Sequence, residues 1–242
     1  MGLNSVAYQR IKEMILRGVI PMGTRLLETR LVPLLQMSRT PIREALQQLH
    51  AEGMLEEDED GLLTKKYTRK QILEIYHCRA ILESEAIKLI AETGFNESAA
   101  AKIHQVISAC DDILLCLSQS GTELEAHFRN AFLIQNNIFH DTLYSSCPNA
   151  MLLSMLRRTE ELPEAIRNYA SFSYEQLLAS HLGHKQIVKA IEMRDAERAG
   201  ALMKEHIWAA RDRMDPETYE TMRLSRSTKD SVSRPEESTL EH

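Results

Sequence analysis

Aromatic side chains are scarce, at 5% of 242 residues with a single tryptophan. Strands favour aromatic and β-branched residues, so this shortage, set against plentiful Leu, Ile, Ala, Glu and Met, argues against a strand-rich fold. Nine glycines and seven prolines leave little room for many tight turns, and a mostly α protein follows. Only four cysteines occur (Cys78, Cys110, Cys116 and Cys147), and none forms a CxxC pair. That excludes a zinc knuckle and a secreted disulfide framework, and buried free thiols in a reducing compartment are expected. No run approaches the ~20 apolar residues of a membrane span. The opening MGLNSVAYQR lacks the basic-then-apolar layout of a signal peptide, so a cytoplasmic protein with no membrane partner is expected.

What is present is a 43% hydrophobic content, ample for real cores, and a net charge of −6 that is unevenly spread. Residues 1–50 carry seven basic side chains (Arg10, Lys12, Arg17, Arg25, Arg30, Arg39, Arg43) against three acidic ones (Glu13, Glu28, Glu44). The acidity lies elsewhere, above all in Glu56-Glu57-Asp58-Glu59-Asp60. A basic head on an acidic chain suits a polyanionic partner.

Periodicity divides the chain in two. Asn4 or Ser5 is placed to cap a first helix bearing Val6, Ala7, Ile11, Met14 and Ile15, with Gly18 as its stop. Pro21-Met22-Gly23 makes a turn, Leu26-Leu27 an extended piece, and a second helix is expected over 29–36 with Pro33 near its start. A third helix is expected to be capped by Thr40 with Pro41 at its first position. Its Ile42, Ala45, Leu46 and Leu49 fall on one stripe, while Arg39, Arg43 and Gln47 lie off it. Met54-Leu55-Glu56 and Leu62-Leu63-Thr64 flank Asp60-Gly61 as a two-stranded wing. Long helices follow over about 70–92, 97–119, 122–145, 149–170, 173–193 and 196–214, the last capped by Asp195. Expected boundaries are a winged helix-turn-helix at 1–68, an all-helical domain at 69–222 and a disordered polar tail at 223–242. The terminal Leu-Glu-His resembles a purification-tag remnant.

The run Ser38-Arg39-Thr40-Pro41-Ile42-Arg43-Glu44-Ala45-Leu46, continued by Leu49 and Glu52-Gly53-Met54-Leu55, resembles the recognition segment of the GntR family of bacterial regulators. Ile15, Gly18 and Pro21-x-Gly23-x-x-Leu26 resemble that family's first turn. Physically, a recognition helix needs one buried face to fix its angle and another that presents donors. Arg near its N-terminus reaches guanine O6 and N7 bidentately, and the helix end itself suits a phosphate. The resemblance implies that Ser38, Arg39, Thr40 and Arg43 contact DNA, together with the wing at Gly61. The family's wing is often basic, whereas the carboxylates at 56–60 would repel a phosphate backbone unless turned away or neutralised. Residue 29 is Thr where some members carry Arg.

Residues 72–213 resemble the helical ligand-sensing (FCD) domain of the FadR branch, through Tyr76-x-x-Arg79-x-x-Leu82-Glu83, Asn136-x-x-Phe139-His140, His184-x-x-Ile187 and Arg194-Asp195 leading to Ala199, Met203 and His206. In many members a carboxylate or amide and three histidines bind a divalent metal. Carried over, the ligands are Asn136, His140, His184 and His206. Imidazole nitrogen suits Zn²⁺, Ni²⁺ and similar ions. Asn136 stands where Asp is common and adds no negative charge, so a weaker metal site is expected. His181 lies close enough to His184 to line the same cavity. Arg79 resembles the family arginine that holds a carboxylate effector; pairing with Glu83 at i+4 is the alternative for it. The expectation is a homodimeric, effector-controlled transcription regulator, a repressor, reading palindromic operator DNA. A metal-dependent enzyme built on the histidines is the rival, against which no general base, Gly-rich phosphate loop or nucleophile motif appears.

Overall fold

The computed structural model describes residues 3–119, 122–159 and 172–213. Among these the architecture is mainly α: an N-terminal helical unit with a β-hairpin wing, followed by an all-helical body. Helix α1 (Leu3–Leu16), α2 (Glu28–Leu35) and α3 (Arg39–Ala51) precede strands β1 (Leu55–Asp58) and β2 (Gly61–Thr64). Ala7, Ile11 and Ile15 of α1 meet Leu31 and Leu35 of α2 and Ile42, Ala45, Leu46 and Leu49 of α3 in one closed core. Fully burying a side chain such as Leu49 contributes about 1.5–3 kcal/mol, which sets the angle at which α3 emerges.

Three helices differ from the sequence expectation at or near their starts, the first being α1, which includes Leu3, so that Asn4 and Ser5 lie within it rather than capping it. Helix α3 begins at Arg39 with Ser38 at the N-cap, so Pro41 is its third residue and Thr40 its second rather than its cap. The first helical N–H groups have no intrahelical acceptor, so Pro41 still forfeits no bond there. Pro33 lies well inside α2, not near its start. It is tolerated because it and Thr29, whose carbonyl would have received the missing N–H, both face solvent. Gln36 closes α2 in a left-handed conformation, φ 55°.

The strands pair antiparallel in the register Leu55↔Thr64, Glu56↔Leu63, Glu57↔Leu62 and Asp58↔Gly61. Gly61 is therefore a ladder residue, and the turn itself is Glu59-Asp60, one step earlier than expected. The fully buried Thr64 ties the wing to the 21–24 turn, its hydroxyl donating to the Pro21 carbonyl (2.6 Å) and accepting from the Thr24 amide (2.9 Å). Only Lys65–Tyr67 separate the wing from the next helix, and Tyr67 packs against the second core.

The body consists of α4 (Arg69–Thr93), α5 (Glu97–Gln119), α6 (Thr122–Ser145), α7 (Ala150–Thr159), α8 (Tyr174–Glu192) and α9 (Ala196–Asp212). Capping boxes open α4 (Thr68 with Gln71) and α8 (Ser173 with Gln176), and the Asp195 carboxylate caps α9. Helix α4 packs along α9, and α5 along α6 and α8. The α4–α9 approach is close because residue 200 is glycine: a Cβ there would lie 3.1 Å from the Ser84 carbonyl oxygen. The expected helix 149–170 is described only as far as Thr159, and the tail lies outside the described residues. Of the thiols, Cys110 and Cys147 are buried as expected, whereas Cys78 and Cys116 are exposed. Burial pushes the Cys110 thiol up to about 12, leaving it inert. No helix among the described residues is long and apolar enough to cross a membrane.

Candidate functional site

Helix α3 presents an exposed edge made of Ser38, Arg39, Thr40, Arg43 and Gln47. Ser38 occupies the N-cap position without its hydroxyl bonding the first turn. Arg43 is held by a residue that the sequence did not single out. Its Nε and Nη2 donate to the two carboxylate oxygens of Glu28 on α2, at 2.7 and 3.0 Å. This pairing raises the Arg43 guanidinium and lowers the Glu28 carboxyl, chiefly through the shared hydrogen bonds. It engages the Nε/Nη2 edge of the planar fork, while the Arg43 side chain stays 61% exposed. The Nη1/Nη2 edge is one that can meet a guanine O6/N7 pair.

The acidic wing is partly neutralised from within. Arg25 donates through Nη1 and Nη2 to both Asp58 oxygens, at 2.7 and 2.8 Å, and its Nη2 lies 3.5 Å from Asp60. The Asp58 carboxyl is accordingly lowered by its bonds to Arg25. Glu56, Glu57 and Glu59 are exposed, with Gly61 beside them at half burial.

In the body, His140 (α6), His184 (α8) and His206 (α9) converge from three helices. All three are buried, and their nitrogens lie within 4.8 Å of one another. Asn136, one turn before His140 on α6, is also buried, and its Oδ1 has no hydrogen-bond partner among the described residues. The three histidines predicted from sequence thus meet at one place, with the predicted Asn136 one helical turn along α6 from His140. Nε2 of His184 lies 3.2 Å from Nε2 of His206. Two imidazole nitrogens sharing one ion at ~2.0–2.1 Å would stand about 3.0–3.4 Å apart, so the spacing fits a common cation. Burial, with the nearby Arg213 and Arg79 charges, brings His206 down to about 3; burial and the neighbouring histidines hold His184 well below its usual value. Both rings are therefore neutral and able to offer lone pairs. Three buried imidazoles, with an orphaned amide oxygen one turn from His140, are a donor set suited to a divalent ion.

A buried relay orients His140. Arg79 Nε donates to Glu83 Oε1 (2.8 Å), the Tyr144 hydroxyl donates to Glu83 Oε2, and Tyr144 Oη lies 3.0 Å from His140 Nδ1. The single Tyr144 proton goes to the carboxylate, so His140 must donate through Nδ1 and carry its lone pair on Nε2. Of the two readings of Arg79, the pairing with Glu83 is the one the geometry contains, and the Arg79 charge also reaches His206. Phe139 stacks on His184 with ring centroids 4.1 Å apart. Tyr144 and Glu28 were missed because nothing in their spacing marks them; an i+4 tyrosine after His140 was the one local signal available.

A winged helix-turn-helix with an exposed arginine edge, joined to a helical body enclosing a cluster of buried histidines, defines the class of ligand-sensing DNA-binding regulators. Residues 3–59 match the model described as "Bacterial regulatory proteins, gntR family", and residues 74–209 match the FCD domain model. The chain belongs to the GntR family of bacterial regulatory proteins, in its FCD-bearing branch. It is 28% identical to the uncharacterized HTH-type transcriptional regulator YdhC of Bacillus subtilis, over 84% of each chain. It is 26% identical to the HTH-type transcriptional repressor GlaR of Escherichia coli, over 83% of this chain and 90% of that one. Among solved structures, E. coli McbR/YncC superposes with a TM-score of 0.69 at 19% identity, over 86% of this chain and 94% of that one. These relatives are transcriptional regulators, and the enzyme alternative finds no support among them.

Proposed function

We propose that this regulator is a cytoplasmic, homodimeric repressor that reads operator DNA through α3 and releases it in response to a small carboxylic acid bound in the histidine-lined cavity. The observation that carries the DNA reading is the Arg43 fork, buttressed by Glu28 and exposed beside Arg39, Ser38 and Thr40 at the N-terminal end of α3. Arg43 reads a base edge, while Ser38, Arg39 and Thr40 with the helix terminus hold phosphates and fix the register. The wing at Gly61 follows the backbone as far as its carboxylates allow. Repression is supported by the relatives named repressors. In a symmetric dimer two such helices would read a palindromic site.

Asn136, His140, His184 and His206 would hold a divalent cation, which when bound supplies positive charge and open coordination positions for a carboxylate. Arg79 adds a planar fork for the same anion. Coupling to DNA follows from chain connectivity. Arg79 and Glu83 sit on α4, whose N-cap Thr68 stands four residues beyond the wing's last residue, Thr64. A ligand that draws on Arg79 differently in two arrangements of α4 shifts the placement of the heads.

Selection of bound sequences from random duplexes, followed by fluorescence anisotropy on the winner, tests this reading. Arg43→Ala should weaken operator binding by roughly 10- to 100-fold and relax one base position. No preference over bulk DNA at low salt would overturn it. An anomalous diffraction signal among the three histidines tests the metal.

A further inference from the structure

We propose that His181 is a specificity-determining residue of the cavity, its Nδ1 accepting a hydrogen bond from a hydroxyl on the bound acid. The inference rests on the carboxylate-effector reading above and narrows the effector to hydroxy acids.

His181 stands one turn before His184 on α8 and is 1% exposed. Its Nε2 lies 2.8 Å from Asp111 Oδ1 on α5, and Lys185 Nζ holds both Asp111 oxygens at 2.9 Å. Lys185 keeps Asp111 ionised: burial raises that carboxyl, but the hydrogen bonds from Lys185 and His181 outweigh it and lower it. A carboxylate only accepts, so the proton between the two groups sits on Nε2. Burial outweighs the pull of Asp111 and holds His181 below its usual value, so the ring is neutral and Nδ1 bears a lone pair. That Nδ1 is buried with no hydrogen-bond partner among the described residues. Buried acceptors are ordinarily satisfied, and one fixed in this tautomer by two further charged residues has been prepared for a donor.

The surroundings say where the donor comes from. His181 meets the edge of Phe132 on α6, centroids 6.4 Å apart. One turn along α6 is Asn136 with its own orphaned oxygen, and one turn further are Phe139, stacked on His184, and His140. His181 therefore lies one level along the same α6–α8 seam from the histidine cluster. It is not a member of the close nitrogen set, so it stands beside the metal donors rather than among them. The donor it awaits is a hydroxyl rather than an ammonium. With a divalent cation proposed at the histidines and the charges of Arg79 and Arg213 already bearing on His206, an ammonium would add one more positive charge, whereas a hydroxyl adds none.

The test uses the full chain with Zn²⁺ and acid pairs differing by one hydroxyl: glycolate/acetate, lactate/propionate, 3-hydroxybutyrate/butyrate and malate/succinate. Calorimetry should show at least one pair in which the hydroxy acid binds roughly 5- to 100-fold more tightly. In His181→Phe that ratio should fall to within about threefold, with Zn²⁺ affinity and binding of the plain acid retained. Should His181→Phe not fold, Asp111→Ala, at a half-exposed site, releases the tautomer and should at least halve the ratio. In ¹⁵N-histidine spectra of the wild type, His181 should be protonated on Nε2 and not on Nδ1. A ratio unchanged in both variants, or a protonated Nδ1, overturns the proposal while leaving the effector reading intact. Binding of no acid at all, with Zn²⁺ still bound, removes the effector reading and the proposal with it.

Discussion

Glu28 is a small acidic residue with a large consequence for how Arg43 behaves. A free arginine on a solvated helix samples many rotamers, and ordering it on DNA costs side-chain entropy. Two hydrogen bonds to Glu28 remove part of that cost in advance by fixing the Nε/Nη2 edge. Glu28→Gln keeps the shape and weakens the grip. The expected outcome is a loss of operator affinity smaller than that of Arg43→Ala, with poorer discrimination at the base position proposed for Arg43, measured by anisotropy on single-base variants. The buried histidines carry a pH prediction for the metal-free protein. His206 titrates near 6.5 when unfolded and at about 3 when folded, so between those values the unfolded chain binds the extra proton. His184, also lowered, acts in the same sense. Stability is thus complete above about pH 6.5 and declines as pH falls towards 3. Thermal melts from pH 7.5 to 4.5 should show a falling Tm, and a His206→Gln variant should fall less steeply.

Among the elements, α4 links the two halves, since it carries the Arg79–Glu83 pair, lies along α9 and begins just after the wing. Its start depends on the reciprocal Thr68–Gln71 box, so Thr68→Ala should cost about 1 kcal/mol in chemical denaturation. Its contact with α9 depends on Gly200, where Ser84 Oγ donates to the glycine carbonyl at 2.9 Å. Gly200→Val would drive a branched side chain into Lys88 and the Ser84 carbonyl, costing roughly 1–3 kcal/mol by overpacking. Because α9 bears His206, the same variant should also weaken Zn²⁺ binding, a second readout by calorimetry. Helix α3 shows the limit of reading elements from local signals. Thr40-Pro41 looked like a cap and first residue, yet the helix starts at Arg39, because leaving the first N–H groups without helical acceptors gives Pro41 more than one acceptable position.

Over the whole molecule, charge is managed by pairing rather than by composition. The net charge of −6 and the acidic wing would each disfavour DNA, but Arg25 neutralises Asp58 and the exposed arginines cluster on α3. Operator binding should fall steeply with added salt, as counterion release requires. Arg25→Ala should lower affinity for all sequences alike, since it uncovers wing carboxylates without touching a base contact; titrations at two salt concentrations check this. A divalent ion held as proposed by three helices would stabilise only the folded state, so chelation should lower Tm. Zn²⁺ at a hundredfold excess over Kd should restore about 2.7 kcal/mol.

Amino-acid order alone was sufficient for the helical class, the wing and the recognition segment, and the family resemblance named the three histidines, His140, His184 and His206, that the fold brings together. Each rests on periodicity or on a motif whose spacing survives as a local pattern, and helix boundaries such as 97–119 came out as expected. Folding alone could reveal that Glu28 buttresses Arg43, that Arg25 masks the wing, that Tyr144 passes a hydrogen bond from His140 to Glu83, and that Asp111 orients His181. These pairs join residues on different elements, or demand a particular rotamer. Their energies depend on distance, burial and the direction of a single proton, none of which is encoded in spacing along the chain.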